Sequence, residues 1–220
     1  VVGDSSGRSV SGAGDVNGDG FDDLIVGAPY ADSNGEKSGS SFVVFGRSDF
    51  GSGELPVIPG TSDDDVLRGT SSEEIFEAGD GNDLLIGFGG ADVFRGGAGV
   101  DQIKVPDLNF GSIDGGTGTD ILHLDGKDLN LDLASVGDTI QGIETICIYG
   151  RGDNTLSLTA DSVINLSATS NTLKLHGNAG DRVTVQDDGW ADGGVKGFYH
   201  IYTNDEAVLL VGANLAIDFV

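Results

Sequence analysis

Six acidic residues between positions 60 and 123 recur at a fixed spacing and could hold metal ions. The chain reads in blocks of nine residues from Gly60, with one ten-residue insertion, and the sixth place of each block is acidic: Asp65, Glu74, Asp83, Asp92, Asp101 and Asp120. Carboxylate oxygens are ligands that Ca²⁺ prefers. Carboxylates stacked in a fold would repel one another without a cation, so the spacing predicts calcium sites that are part of the fold.

Tight turns and short strands must position these acidic residues. Glycines crowd the first, second and fourth places of the blocks, where a turn needs backbone angles that other residues reach only with strain. The eighth place is always apolar: Leu67, Phe76, Leu85, Phe94, Ile103 and Leu122. The last three residues of each block are therefore predicted to form a short strand whose middle side chain points inward.

Two blocks close one coil, so turns on the same side lie eighteen residues apart in the sequence. This spacing stacks Asp65, Asp83 and Asp101 along one edge and places Glu74 with Asp92 on the other. Stacked strands are ~4.7–4.9 Å apart, and a calcium ion with oxygens at ~2.3–2.6 Å fits between two such turns. The pattern predicts a parallel β-solenoid with calcium-binding turns. A flexible Gly/Asp-rich linker is the alternative, but it would not keep an apolar residue every nine positions.

Residues 60–123 resemble the RTX repeats of secreted bacterial proteins, which form a parallel β-roll. The first two blocks depart from the motif, because Thr61 and Asp63 replace glycines and the second block carries Ser72 and Glu74. The site at Glu74 is therefore expected to be poor or empty. The resemblance implies the remaining acidic residues as calcium ligands: Asp65, Asp83, Asp92, Asp101 and Asp120. The ten-residue insertion after Lys104 is expected to bulge from one edge without ending the stack.

A second oxygen-rich stretch, DVNGDGFDD, runs from Asp15 to Asp23. Side-chain oxygens at its first, third, fifth and ninth places, with glycine at the sixth, are typical of a calcium loop. An EF-hand would carry Glu at the twelfth place, where this chain has Val26. The flanking runs LIVG and SFVVFG are rich in β-branched and aromatic residues, so the loop is predicted to lie between strands rather than helices.

Residues 1–46 resemble the FG-GAP repeat, the blade unit of integrin-type β-propellers. Val26–Pro29 matches the GAP part of the motif, and Phe45 with Gly46 matches the FG part. The resemblance implies these calcium ligands: Asp15, Asn17, Asp19, the Phe21 carbonyl and Asp23. A single four-stranded blade leaves two unpaired edges, so we expect preceding blades, or docking on the solenoid or on a neighbouring molecule.

The rest of the chain is predicted to be a linker, further rungs and a cap. Residues 47–59 form the linker. Apolar alternations in residues 124–186, among them Ile164–Leu166, predict continuing solenoid rungs without helices. Asp153 and Asp181 could bind a further ion, but we favour a solvated turn at each. Residues 187–220 form the cap and contain a predicted hairpin of Phe198–Tyr202 with Ala207–Val211. The last four residues, IDFV, resemble the C-terminal signal of type I secretion substrates.

Composition excludes several classes of function. The net charge is −25 and only 11 residues are Lys or Arg, which argues against binding nucleic acid or anionic membranes. No stretch could span a membrane, and no signal peptide is visible.

Cys147 is the single cysteine and is expected to be buried. The absence of methionine suggests a piece of a longer protein. No catalytic motif is present, so we expect no enzymatic activity, and Arg151-Gly152-Asp153 is read as an ordinary turn.

The residue patterns predict an all-β, calcium-binding fold, and the resemblances imply the C-terminal region of a secreted bacterial surface, adhesive or structural protein. What the resemblance implies is folding on extracellular calcium after export by type I secretion machinery, with a cell-surface or matrix ligand or self-association as further partners. One alternative is the export and folding module of a secreted hydrolase whose catalytic domain lies upstream. A third is a self-assembling extracellular filament or surface-layer subunit.

Overall fold

The computed structural model describes residues 7–18, 20–31, 38–46, 55–167, 170–186 and 189–220. The chain forms two compact units, Val1–Leu55 and Pro56–Val220. In these described ranges, nearly all of the regular structure is β-strand, with two short α-helices and one 3-10 helix. The predicted all-β class is therefore confirmed. In the described ranges, no helix is long and apolar enough to cross a bilayer.

The first unit contains a small antiparallel sheet. Its strands are β1 (Ser9–Gly14), β2 (Asp23–Ala28) and β3 (Ser40–Val44), in the order β1-β2-β3. Gly27 pairs with Ser9 across β1 and β2, and a Cβ at Gly27 would lie 2.4 Å from the Ser9 Oγ, so a side chain there would require the Ser9 hydroxyl to rotate. The described residues of this unit form three strands, where a complete blade would have four.

The second unit begins as a two-sided parallel solenoid. Its strands, in chain order, are β4 (Val57–Pro59), β5 (Val66–Arg68), β6 (Ile75–Asp80), β7 (Leu84–Ile86), β8 (Val93–Gly99), β9 (Gln102–Val105), β10 (Ser112–Gly118) and β11 (Ile121–Leu124). Even-numbered strands stack in one sheet and odd-numbered strands in the other. Leu67 pairs with Leu85 and Leu85 with Ile103, which is the predicted offset of eighteen residues.

The predicted inward positions form the core of this solenoid. All six eighth-place residues are buried, and the rings of Phe76 and Phe94 stack with centroids 4.7 Å apart. Ile113, which the nine-residue pattern did not include, is also buried and pairs with Phe94. At least one inward side chain from each of the strands β5 to β11 thus builds a continuous apolar column.

The sequence after Lys104 differs from its prediction. We expected a ten-residue bulge, but Ser112–Asp114 belong to β10, and Ser112 pairs with Val93 nineteen residues earlier. The insertion is therefore a further half-coil with one extra residue. The linker prediction also needs correction at its end, because Val57–Pro59 form β4 and pair with β6; positions 47–54 lie outside the described residues.

From residue 125 onward the coil has three sides. New strands form a third parallel sheet in the order β12-β15-β17-β21, while others extend the two earlier sheets. The remaining elements are β12 (Asn130–Asp132), α1 (Leu133–Val136), a 3-10 turn (Gly137–Thr139), β13 (Ile140–Gln141), β14 (Thr145–Cys147), β15 (Thr155–Leu158), α2 (Ala160–Leu166), β16 (Thr172–His176), β17 (Arg182–Val185), β18 (Ala191–Lys196), β19 (Tyr199–Asn204), β20 (Ala207–Gly212) and β21 (Ala216–Phe219).

The expectation of rungs without helices was wrong at α1 and α2. Ile164–Leu166, which we read as part of a strand, lies in α2. A capping box starts this helix: the Thr159 hydroxyl accepts from the Ser162 amide, and the Ser162 hydroxyl accepts from the Thr159 amide. Val163 and Leu166 are buried three residues apart, which is the spacing of one helical face.

The C-terminal segment adds strands to the solenoid. The predicted hairpin is present as β19 and β20, and β20 also pairs in parallel with β16. β21, at the predicted secretion signal, pairs in parallel with β17, and Ile217 lies beside Val183. β18 was not predicted; it pairs antiparallel with β19. Positions 187 and 188 of the predicted loop lie outside the described residues.

Candidate metal centre

Five carboxylates form a hydrogen-bonded stack along one edge of the solenoid, which we call the long ladder. Its members are Asp65, Asp83, Asp101, Asp120 and Glu144, each directly before a strand of the nine-stranded sheet. The Asp65 amide donates to Asp83 Oδ1 at 2.8 Å, and the Asp83 amide donates to Asp101 Oδ1 at 2.9 Å. The Asp101 amide donates to Asp120 Oδ1, and the Asp120 amide to Glu144 Oε2, each at 2.8 Å. One carboxylate oxygen per coil is thereby fixed by the neighbouring coil.

A shorter stack, the short ladder, occupies the other edge. The Glu74 amide donates to Asp92 Oδ1 at 2.9 Å. The stack ends there, because the next position holds Gly111, whose amide donates to the Asp92 carbonyl oxygen at 2.8 Å. The structure thus brings together the predicted ligands on each edge, but with unequal numbers.

Three oxygens of the long ladder are buried without a hydrogen-bond partner. They are the Oδ2 atoms of Asp83, Asp101 and Asp120, and these residues are 1%, 0% and 0% exposed. A buried polar oxygen without a partner costs ~1–3 kcal/mol, and more when it is charged. Each of these atoms therefore needs a positive or donating group that the described side chains do not provide.

Glycine backbone lines the space beside these oxygens. A Cβ at Gly96 would lie 2.5 Å from Asp101 Oδ2 and 2.4 Å from the Gly115 carbonyl oxygen. A Cβ at Gly115 would lie 2.1 Å from the Gly142 carbonyl oxygen and 2.6 Å from the Asp120 Cβ. A carboxylate oxygen and a backbone carbonyl oxygen thus approach the same space beside Gly96, and a side chain there would fill it.

Burial shifts the acidity of the ladder residues. It raises the pKa of Asp120 to about 7 and that of Asp92 to about 6. The pKa values of Asp83 and Asp101 are also raised, again mainly by burial, with a smaller contribution from the neighbouring carboxylate. Hydrogen bonds from backbone amides act in the opposite direction. Without a counter-charge, the ladder therefore resists full ionisation near neutral pH.

The donor set fits calcium better than a metal held by side chains alone. In the described part of the chain, no three or more His, Cys, Asp or Glu side chains converge as a metal site. The carboxylates instead stack one per coil, so a cation between coils would need backbone carbonyl oxygens to complete its shell. Ca²⁺ accepts such mixed shells of ~6–8 oxygens. The residues that would hold it are the ladder carboxylates and the turn carbonyls beside them.

Hydroxyl groups contact the carboxylates at the ends of the ladders. The Thr61 amide and hydroxyl both donate to Asp65 Oδ2, at 2.7 and 2.8 Å. The Thr70 hydroxyl donates to Glu74 Oε1 in the short ladder. At the far end of the long ladder, the Ser167 hydroxyl donates to Glu144 Oε1.

The predicted calcium loop of the first unit connects β1 and β2. Asp15 closes the loop, because its carboxylate accepts the amides of Gly18 at 2.7 Å and Gly20 at 2.9 Å. Asp23 is fully buried at the start of β2, where its two oxygens accept the amides of Val16 and Gly46. Asn17 and Phe21 lie in the same loop. Asp19, the remaining predicted ligand, lies outside the described residues.

The nine-residue pattern missed Glu144 and misjudged Asp181. Glu144 lies twenty-four residues after Asp120, because the coil there has gained a third side. Asp181 is 1% exposed, and its two oxygens accept the amides of Asn154 and Asn178, so it is not a solvated turn residue. The signal for both was weak: an acidic residue precedes an apolar strand, but at no constant spacing.

Comparisons with known proteins match two segments of the chain. The FG-GAP repeat matches residues 6–44, and the RTX calcium-binding nonapeptide repeat matches residues 68–103 in four copies. Integrin alpha pat-2 of Caenorhabditis elegans is 50% identical over 60 residues, which is 26% of this chain and 5% of that protein. Integrin alpha pat-2 of Caenorhabditis briggsae is 49% identical over 53 residues, which is 22% of this chain and 4% of that protein. No solved structure shows a significant match.

These matches identify two repeats and leave most of the chain uncovered. The chain spans a small fraction of the length of the curated relatives that it matches. The RTX and FG-GAP repeats support calcium binding by a secreted protein of the RTX type, and neither repeat is typically catalytic. The chain therefore carries an FG-GAP repeat followed by RTX calcium-binding nonapeptide repeats, which is the architecture that its residue spacing predicts.

Proposed function

We propose that the second unit is a calcium-dependent folding module, which becomes ordered outside the cell after export by a type I secretion system. The observation that carries this proposal is the set of three buried oxygens without a partner, on Asp83, Asp101 and Asp120. A divalent cation beside each oxygen would satisfy it and offset the repulsion between successive carboxylates. Metal binding would then supply part of the folding free energy.

The difference in calcium concentration across the cell envelope would determine the side on which this module folds. Extracellular calcium modules bind with dissociation constants of ~10⁻⁴–10⁻³ M, so such sites stay empty where free calcium is scarce. A chain with a net charge of −25 would then repel itself and remain extended. Calcium outside the cell would order the coils and hinder return of the chain.

We further propose that the first unit gives the secreted protein an adhesive or structural role at a surface. Its sheet exposes large apolar side chains that one sheet cannot bury: Val10, Leu24, Ile25, Phe42 and Val43. Exposed apolar groups of this kind are typical of a surface that packs against another protein surface. The match of residues 6–44 to the FG-GAP repeat supports a blade that packs beside other blades.

Far-ultraviolet circular dichroism tests the folding proposal. We expect a largely disordered chain in EDTA and a β-rich spectrum in millimolar calcium. Asp101→Asn removes one ladder charge and should raise the calcium concentration at the midpoint of folding. Asp138→Asn removes an equal charge at an exposed 3-10 position outside both ladders and serves as the matched control. A β-rich spectrum that persists unchanged in EDTA would contradict the proposal.

A further inference from the structure

The carboxylates of the long ladder differ in what contacts their second oxygen. At the two ends, a hydroxyl group donates to it: Thr61 to Asp65 and Ser167 to Glu144. At the three interior steps, the second oxygen is buried and has no partner. The ladder therefore contains two kinds of carboxylate, although all its members lie at equivalent places before a strand.

The residue at the second place of each turn accounts for part of this difference. Turns that lead to an open oxygen have glycine there, with φ of 105° at Gly79, 107° at Gly97 and 93° at Gly116. Each glycine faces the turn before it, since a Cβ on Gly97 would lie 2.0 Å from the Gly79 carbonyl oxygen. The first turn instead carries Thr61, whose amide and hydroxyl both reach Asp65.

The short ladder repeats this relation independently. Thr70 also stands at the second place of its turn, and both its amide and its hydroxyl donate to the Glu74 carboxylate. Two threonines on opposite edges thus satisfy the acidic residue of their own turn. Neither Asp65 nor Glu74 has a buried oxygen without a partner.

We propose that the long ladder takes divalent cations at its three interior carboxylates, Asp83, Asp101 and Asp120, and that the Thr61 and Ser167 hydroxyls close its two ends without a metal ion. This inference rests on the proposed calcium-binding function and specifies which steps of the ladder are loaded. A hydroxyl donor stabilises the end carboxylates by a charge-assisted hydrogen bond. The interior carboxylates, which have no such donor, are the ones that require a cation.

The third of these sites lies beyond the matched nonapeptide repeats. Those repeats end at residue 103, whereas Asp120 follows the nineteen-residue coil. Asp120 is nevertheless fully buried with an open Oδ2, and its turn is lined by the backbone of Gly115 and Gly142. The ladder therefore carries a cation site into the junction where the coil gains its third side.

Metal content of matched variants tests the assignment. Asp120→Asn and Asp65→Asn make the same chemical change at an interior step and at an end step. The purified 220-residue chain is dialysed to equilibrium against saturating calcium, and bound calcium is measured by mass spectrometry as the excess of total calcium inside the dialysis bag over that outside. We expect Asp120→Asn to lose one ion per chain and Asp65→Asn to keep the wild-type number. Loss of an ion from Asp65→Asn, or none from Asp120→Asn, would overturn the inference.

A second measurement covers the case in which Asp120→Asn does not fold. Crystals of the wild-type chain grown with terbium, which replaces calcium at oxygen sites, locate the ions by anomalous scattering. Ions beside Asp83, Asp101 and Asp120, with none beside Asp65 or Glu144, are the expected result. An ion at either end, or none at Asp120, would refute the assignment. If the wild-type chain binds no calcium in the first assay, the proposed function itself fails; if it binds but the ends are loaded, only this inference fails.

Discussion

At the scale of single residues, glycine sets how closely successive turns can stack. Gly99 and Gly118 have φ of 142° and 141°, and a Cβ on either would lie 1.7 and 1.6 Å from the carbonyl oxygen of the turn before it. No rotation of a side chain relieves such a contact, because the Cβ itself is in the wrong place. The spacing of the ladder carboxylates therefore depends on these glycines as much as on the acidic residues.

Alanine substitution tests this dependence. Gly118→Ala should lower the unfolding free energy in calcium by about 3 kcal/mol or more, because backbone strain adds to a steric clash. Gly197→Ala is the matched control: its φ of 65° is also left-handed, but no atom lies within 4 Å of the new Cβ. We expect that variant to lose only about 1 kcal/mol. Urea unfolding at saturating calcium measures the unfolding free energy of both variants. Equal decreases would show that backbone strain alone, without the steric clash, determines the loss of stability.

The sequence predicted the acidic and apolar places of the turns but not their hydroxyl partners. Asp83 and Asp101 follow from the period of nine, since burial and register both derive from the same repeat. The contact from Ser167 to Glu144 joins residues twenty-three positions apart across a helix that the pattern did not reveal. Such a contact depends on the path of the chain between them, which no local spacing determines.

At the scale of elements, the two helices show where apolar spacing becomes ambiguous. Val163 and Leu166 bury one face of α2, while flanking strands bury every second residue. A window of four residues cannot distinguish the helical period from the strand period. The Thr159–Ser162 capping box is the additional sequence signal that favours a helix. Where the period is nine and repeated, as in β5 to β9, the same reasoning gives the right strands.

The long ladder also predicts how the metal-free chain responds to acid. Burial raises the pKa of Asp120 to about 7, well above the value of about 4 expected in an unfolded chain. The folded, metal-free state therefore binds the extra proton, and its stability falls as the pH rises from about 4 towards 7. In EDTA, we expect more β-structure by circular dichroism at pH 5 than at pH 7.5.

The Asp120→Asn variant distinguishes stabilisation by the proton on Asp120 from stabilisation by the general loss of negative charge at low pH. Asp120→Asn cannot ionise at that step, so its metal-free chain should show a smaller difference between the two pH values. Asp138→Asn should behave like the wild-type chain, since that residue is exposed and outside the ladders. Identical pH responses of the wild-type and Asp120→Asn chains would show that the buried carboxyl does not control acid stabilisation.

At the scale of the whole molecule, the net charge of −25 and the buried ladder carboxylates oppose folding in two different ways. General repulsion is screened by any salt, with a Debye length of ~3 Å at 1 M. The buried oxygens of the ladder need a cation at a defined place, which screening does not provide. Charge and site should therefore respond differently to sodium and to calcium.

Sodium chloride and calcium chloride at matched ionic strength distinguish these contributions. In EDTA, we expect sodium chloride to reduce the hydrodynamic radius on size-exclusion chromatography while the circular dichroism spectrum stays disordered. Calcium should both contract the chain and produce the β-rich spectrum. Formation of the same β-rich spectrum in sodium chloride alone would show that the fold needs screening rather than bound ions.

The two-unit organisation follows from the sequence more directly than the shape of the second unit does. The distinct motifs at 6–44 and 68–103 mark two kinds of structure. The change from two sides to three in the solenoid was not predicted, because the spacing between equivalent positions is constant in the first coils and irregular in the later ones. Strand β21 shows the same limit, since its partner β17 is set by the path of a whole coil.

Parallel strand pairing in the solenoid unit joins adjacent coils, although the sheets run the length of the unit. Its most widely separated paired residues, such as Lys174 and Leu210, are 36 positions apart in the chain. The entropy cost of closing a loop grows slowly with its length, so adding one coil to its neighbour costs a similar, limited amount at every step. Each coil can settle on the one beside it before more distant segments are available. A chain in which each coil pairs with the adjacent coil is suited to folding progressively while it passes through a narrow opening.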